Sequence, residues 1–224
     1  MKTYLTRAVA VLAFLLSAGT ASATNWVEGQ HYFLIENLPR TAQPAGKGEV
    51  TEVFSYGCPA CRDFAPIARK LKASLPPGVT FNYVHASFNA AESWPLFQRA
   101  YCTAQVLGIA DKYHDAMFAA IWVNGELPIV DEATGRIHSP APTIQDVAKF
   151  YAKRANIKAD QFVETANSMT ISLKMRESDA YIRRNGVDRT PTLIVNGKYR
   201  MDPSTAGGMT ELIELVNWLL ANKK

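Results

Sequence analysis

Cys58 and Cys61, separated only by Pro59 and Ala60, lie where a strand-forming run gives way to a helix-forming one, and this junction limits what the chain can build. Val50 to Tyr56 is rich in β-branched and aromatic residues, and Val79 to His85 is strand-like as well. Between them, Pro59 to Ser74 carries apolar residues at Phe64, Ile67, Ala68 and Leu71, the spacing of one helix face. The three runs predict a β-α-β unit whose helix opens at the cysteine pair. Pro59 suits the first helical position, where a missing N–H costs nothing. Pro66 falls inside the helix and is expected to kink it.

That placement bears on the chemistry. A cysteine at a helix start faces free backbone N–H groups and the positive end of the helix dipole, and both favour the thiolate. The thiolate is the species that attacks a disulfide, and a second cysteine one turn on can resolve the mixed disulfide that forms. Cys58 is therefore the candidate nucleophile and Cys61 the candidate resolving thiol. Zinc is the main chemical rival, since two such cysteines are half of a tetrahedral site. The other half is missing: Cys102 has no neighbouring cysteine, and His31, His85, His114 and His138 show no metal-ligand spacing. No metal and no cofactor are expected. A purely structural bridge is the remaining alternative, but closing so short a loop removes little chain entropy.

The N-terminus sets the compartment. Residues 1 to 7 are short and basic, Ala8 to Leu16 are apolar, and Ala21-Ser22-Ala23 has the small-x-small pattern of a signal-peptidase site. Residues 1–23 thus read as a cleaved secretory signal, with an apolar run about half the ~20 residues needed to span a bilayer. Export permits disulfides that cytosolic reductants would remove, and an odd cysteine count argues against a purely structural framework. Net charge is +4, of which Lys2 and Arg7 supply two. The remainder is too small and dispersed for a nucleic-acid surface. At 224 residues and 48% apolar, the chain can fill a core without a metal or disulfide staple.

After the β-α-β unit the period is helical to about Arg184, clearest over Trp94–Leu107, Asp111–Trp122, Thr143–Ala155 and Met169–Arg184. Thr143 with Asp146 resembles a capping box, and Gly108 and Gly186 sit where helix C-caps belong. Then Thr192 to Val195 reads as a strand, Asn196-Gly197 as a hairpin turn, Lys198 to Met201 as its partner, and Thr210 to Ala221 as a closing helix. An α/β domain over 24–92 and 186–224 is thus interrupted by a helical block over 93–185. Val123 to Pro142, with three prolines and two glycines, is expected to be a surface loop. Cys102 is expected to be buried and inert, and His114 to face solvent. Met169, Met175, Phe118, Trp122, Phe150 and Tyr151 are expected in a helical core.

This ordered set resembles the thioredoxin-fold thiol oxidoreductases, and within them the periplasmic DsbA-type oxidases. The resemblance rests on Glu28-Gly29-Gln30-His31-Tyr32, Glu52-Val53-Phe54-Ser55-Tyr56 leading into Cys58-Pro59-Ala60-Cys61, and Leu75-Pro76-Pro77-Gly78-Val79. It continues through the helical block to Thr190-Pro191-Thr192 and Val195-Asn196-Gly197-Lys198-Tyr199. It implies an α/β thioredoxin-like fold with a helical-domain insertion. It also implies that Pro191 is a cis proline beside the cysteines, with Thr190 offering backbone groups to an extended substrate peptide. The alternative for Pro191 is an ordinary proline at a strand start.

Glu52, six residues before Cys58 in an apolar strand, is the third candidate for catalysis. A carboxylate beneath a sheet is costly to ionise, so its pKa rises and it can exchange a proton with Cys61. The alternative is an edge-strand Glu reaching solvent; the family position favours the buried one. Two residues depart from the family pattern. Ala60 stands where the best-known DsbA enzymes have His, and Thr190 where many have Val and many disulfide isomerases have Thr. The expected activity is that of a monomeric periplasmic dithiol oxidase. It would pass the Cys58–Cys61 disulfide to unfolded or reduced exported proteins and be reoxidised by a DsbB-like membrane partner. The alternatives are a reductase, an isomerase, for which only about 26 residues before the first strand leave no room for a dimerisation domain, or a peptide-binding chaperone with a structural disulfide.

Overall fold

A continuous buried run over Val50–Phe54 and a helical stripe along Pro59–Ser74 bring the first strand, helix and cysteine pair together as the sequence expects. The structure is a computed structural model and describes residues 25–36, 48–131 and 133–222. The leader and its cleavage site lie outside the described residues.

In chain order the described elements begin with β1 (Phe33–Leu34), β2 (Glu49–Phe54), α1 (Pro59–Ser74) and β3 (Thr80–His85). Five helices follow: α2 (Trp94–Val106), α3 (Ala110–Trp122), α4 (Ile144–Ala152), α5 (Ala159–Ala166) and α6 (Met169–Arg184). The chain closes with β4 (Thr192–Val195), β5 (Tyr199–Met201), α7 (Pro203–Ala206) and α8 (Met209–Asn222). The strands form one sheet in the order β1-β5-β4-β2-β3, with β2 and β3 parallel and the other pairs antiparallel. β2 is therefore an interior strand, flanked by β3 and β4.

Two buried clusters hold the sheet in place. In one, Phe64, Ala68 and Leu71 of α1 and Leu212, Leu215, Val216 and Leu219 of α8 pack with Val50, Leu193, Val195 and Met201 of the strands. Each such large side chain contributes about 1.5–3 kcal/mol on burial. In the other, the end of β2 and both active-pair cysteines share a core with Phe97, Met117, Phe118, Phe150, Tyr151 and Phe162 of the helical segment. The cysteines thus sit where the sheet and the five helices meet.

The local signals are realised closely. The Thr143–Asp146 capping box is present in both directions, Gly108 and Gly186 take positive φ at helix ends, and Asn196-Gly197 turns with φ of 55° and 60°. α1 runs through Pro66, which lies on its exposed side. Three expectations are corrected. His114 is buried, at 6% exposure, because it faces Phe54, Tyr56 and Tyr83 from α3 rather than solvent. Met169 is 69% exposed, since it opens α6 ahead of the residues that reach the core. The segment 123–142 is not wholly a surface loop: Leu127 and Ile129 are buried in the helical core, and Val130 and Ile137 form an antiparallel bridge.

Candidate active site

The route from β2 into α1 is a tight turn held by its own backbone. The Cys58 N–H donates to the Ser55 carbonyl at 3.1 Å and the Gly57 N–H to Ser55 Oγ at 3.1 Å. Gly57 is required by space: a Cβ there would lie 2.6 Å from the Trp94 ring. Cys58 is extended at the N-cap and Pro59 occupies the first turn, so the sulfur faces the open end of the helix. Pro59 is exposed and Ala60 half-buried, so the side of the pair that a partner would approach is the Pro59-Ala60 side.

The two thiols have opposite environments. Cys58 is held down at about 6. The first cause is a hydrogen bond donated by the Cys61 thiol; burial opposes it, and Thr190 and the backbone N–H groups of Cys61 and Ala60 assist. Cys61 is pushed well above the ordinary thiol value by burial, by donating its proton to Cys58, and by the charges of Cys58 and Glu52. At neutral pH the pair carries one negative charge, and it resides on Cys58.

Thr190–Pro191 is a cis peptide at the entrance to β4. It brings the Thr190 carbonyl to 3.5 Å from Cys58 Sγ. The Thr190 hydroxyl is buried without a hydrogen-bond partner. When the sulfur is ionised, this hydroxyl is the neighbouring group with a proton to turn towards it, in line with its lowering of the Cys58 pKa.

Glu52 lies in register with Tyr83 of β3 on one side and Leu193 of β4 on the other. It is 2% exposed, so the edge-strand reading fails. One carboxyl oxygen, Oε2, has no partner. Burial, and secondarily the charge on Cys58, raise its pKa to about 8. The Glu52 charge in turn helps to raise the pKa of Cys61.

Sequence reasoning missed the residues that hold Tyr56, two positions before Cys58. Its N–H donates to His85 Nε2 at 3.0 Å, while His85 Nδ1 donates to the Ala86 carbonyl at 2.7 Å, which specifies the neutral tautomer. Its hydroxyl is hydrogen-bonded to His114 Nδ1 at 3.1 Å, and its carbonyl accepts the Trp122 indole N–H at 2.8 Å. The signal that could have revealed part of this is the spacing of His114, Phe118 and Trp122, four residues apart on one helix stripe. Cys102, in α2, is 1% exposed and its thiol is pushed up to about 11, mainly by burial, as a core cysteine would be. Among the described residues no three His, Cys, Asp or Glu side chains group to hold a metal, and no helix is long and apolar enough to cross a membrane.

A family model described as Thioredoxin matches residues 41–215. The thiol:disulfide interchange protein DsbA of Pseudomonas aeruginosa is 29% identical over 204 residues, covering 91% of this chain and 89% of its own. That of Escherichia coli K12 is 29% identical over 198 residues, covering 86% and 84%. The crystal structure of the oxidoreductase DsbA from Xylella fastidiosa matches with a TM-score of 0.75 at 31% identity, over 88% of this chain and 97% of that one. The chain belongs to the DsbA family. It is a thiol:disulfide interchange oxidoreductase of the thioredoxin fold, and Cys58-Pro59-Ala60-Cys61 is its redox-active motif. Within that family, Ala60 leaves Cys58 without an imidazole at the dipeptide. The depression of its pKa therefore rests on the Cys61 thiol, Thr190 and the backbone of the helix start.

Proposed function

We propose that this chain works as an oxidant in the periplasm, with Cys58 as nucleophile, Cys61 as resolving thiol and Glu52 as the proton store between them. A substrate thiolate attacks Cys58 Sγ of the oxidised enzyme and forms a mixed disulfide. The electron pair of the broken S–S bond leaves on Cys61, which takes a proton from Glu52 and becomes the neutral thiol that its surroundings favour. The substrate's second thiol, as thiolate, then attacks its own sulfur in the mixed disulfide and expels Cys58 as a thiolate. The substrate loses two electrons and the enzyme gains them. Thr190 and Pro191 present the backbone edge on which an extended substrate segment pairs, beside the exposed Pro59 and half-buried Ala60.

The observation that carries this reading is the split between the two thiols: one sulfur is stabilised as an anion, the other held neutral. A good leaving thiolate at Cys58 makes the mixed disulfide easy to discharge and favours the reduced enzyme. Residues 24–92 and 186–224 are the catalytic domain and 93–185 the inserted one. The leader at 1–23 directs export, exported proteins with free thiols are the substrates, and a DsbB-like membrane oxidase takes the electrons.

Equilibration of the purified protein with glutathione buffers tests the direction. The expected result is a reduction potential above that of the glutathione couple, with a Cys58 titration midpoint near 6. A potential well below glutathione, with an ordinary thiol midpoint, marks a reductase instead. Activity that survives replacement of both cysteines marks a chaperone.

A further inference from the structure

Tyr56, two residues before the nucleophile, is a meeting point between the helical segment and the active-site turn. His114, Phe118 and Trp122 follow one another at four-residue steps on α3, so they form a single stripe along the helix. All three lie on Tyr56: His114 Nδ1 at the hydroxyl, 3.1 Å away, the Phe118 ring against the phenol at 5.0 Å between centroids, and the Trp122 indole N–H on the carbonyl at 2.8 Å. The stripe runs the length of Tyr56 from its hydroxyl to its backbone.

Its last member also touches the other side of the cysteine pair. The guanidinium of Arg62, the residue after Cys61, lies over the Trp122 ring at 5.1 Å. Trp122 is half-buried. The peptide it grips joins Tyr56 to Gly57, whose N–H is pinned in turn by Ser55 Oγ at 3.1 Å. With Gly57 closed in by Trp94, that peptide has donor, acceptor and Cα all constrained one residue before Cys58. From these contacts we infer that Trp122 is a positioning residue for the Cys58 nucleophile, clasping the turn before the pair by its N–H and the helix after it by its ring.

The physical reason is geometric. The thiolate is stabilised by short-range donors at the start of α1, and hydrogen bonds weaken steeply when donor and acceptor are misaligned. A turn free to rock by a few tenths of an ångström holds those donors less well. Trp122→Phe keeps an aromatic ring for Arg62 but removes the N–H that meets the Tyr56 carbonyl, together with the pyrrole part of the indole; Trp122→Gln keeps a donor and removes the ring.

The inference rests on Cys58 being the low-pKa nucleophile proposed above, and the test separates the two. Thiolate absorbance is titrated in the reduced full-length mature protein and both variants. Trp122→Phe is expected to raise the Cys58 midpoint by half a unit or more, a fall of about threefold in the ionisation equilibrium. Trp122→Gln is expected to stay closer to the wild type. A purely structural role gives a different pattern: both redox forms lose stability equally and the midpoint stays put, which overturns the inference. A second measurement needs no variant. In the wild-type protein the NMR shift of the Trp122 indole N–H is expected to follow the ionisation of Cys58 with the same midpoint, and a flat indole signal through that range overturns the coupling. If the wild-type thiol itself shows no depressed midpoint, the Cys58 assignment fails first.

Discussion

At the residue scale, the proposed function rests on three ionisable groups whose surroundings push their pKa values apart: Cys58 down, Cys61 and Glu52 up. Helix-start chemistry made the cysteine roles legible in the sequence. The burial of Glu52 was legible only through the family resemblance, because an apolar strand by itself carries no mark of whether it lies at the edge or the interior of a sheet; the pairing with β3 and β4 decides that. The anchors of Tyr56 were hidden for a similar reason, since His114 and Trp122 lie 58 and 66 residues away along the chain. Glu52→Gln follows directly from the raised carboxyl. A raised pKa means the folded protein holds that proton more tightly than the unfolded chain, so its stabilising contribution is complete below 4.5 and lost as pH rises to about 8. The amide is neutral throughout. It is therefore expected to be more stable than the wild type above pH 4.5, by about 1.4 kcal/mol for each unit of pH up to about 8, as a ceiling. Substrate oxidation should slow about a hundredfold where proton transfer to Cys61 limits turnover. Urea denaturation and stopped-flow oxidation of a model dithiol peptide check the two parts; a variant that turns over at the wild-type rate removes Glu52 from the mechanism.

At the element scale, local signals governed what could be read. Pro59–Ser74, Met169–Arg184 and Thr192–Val195 have the bounds the sequence suggests, because each couples a clear apolar period to an end signal. α5, with only Phe162 and Ala166 buried over eight residues, is too short to show a period. α7 is four residues and β1 two, and both owe their existence to docking beside longer elements. The buried Leu127 and Ile129 were obscured by the prolines and glycines around them. The capping box of α4 offers a test that leaves the active site alone. Thr143→Ala removes the hydroxyl that accepts the Asp146 N–H, and is expected to cost about 1 kcal/mol. Thermal unfolding measures the loss. The reduction potential is expected to stay unchanged, and a shift in potential would mean that α4 communicates with the cysteines.

At the scale of the whole molecule, the active pair and the helical segment share one buried core, so the redox state and the stability of the fold are linked. That core also contains two neutral histidines, His85 and His114, both lowered to about 3, chiefly by burial. Their depressed pKa values mean that the unfolded chain takes up protons first as pH falls. Each one costs up to about 1.4 kcal/mol per pH unit between the ordinary 6.5 and about 3. In the oxidised form, where Cys58 cannot ionise, Glu52 acts oppositely down to 4.5. These three groups together place a stability maximum near pH 6.5, which a series of denaturant midpoints against pH will reveal or refute. The linkage at Cys58 is the deeper test, because this depressed thiol ionises only in the reduced form. A depressed thiol pKa stabilises the reduced fold fully above the unfolded value of 9.0, and that contribution disappears as pH falls to about 6. The most direct measurement is therefore the unfolding free energy of the reduced and oxidised proteins, side by side, from pH 6 to pH 9. The reduced form is expected to gain on the oxidised form steadily across that range, by on the order of 1 kcal/mol at pH 7 and more above it. A difference that stays level, or that moves in favour of the bridged form as pH rises, contradicts the assignment of this chain as an oxidant.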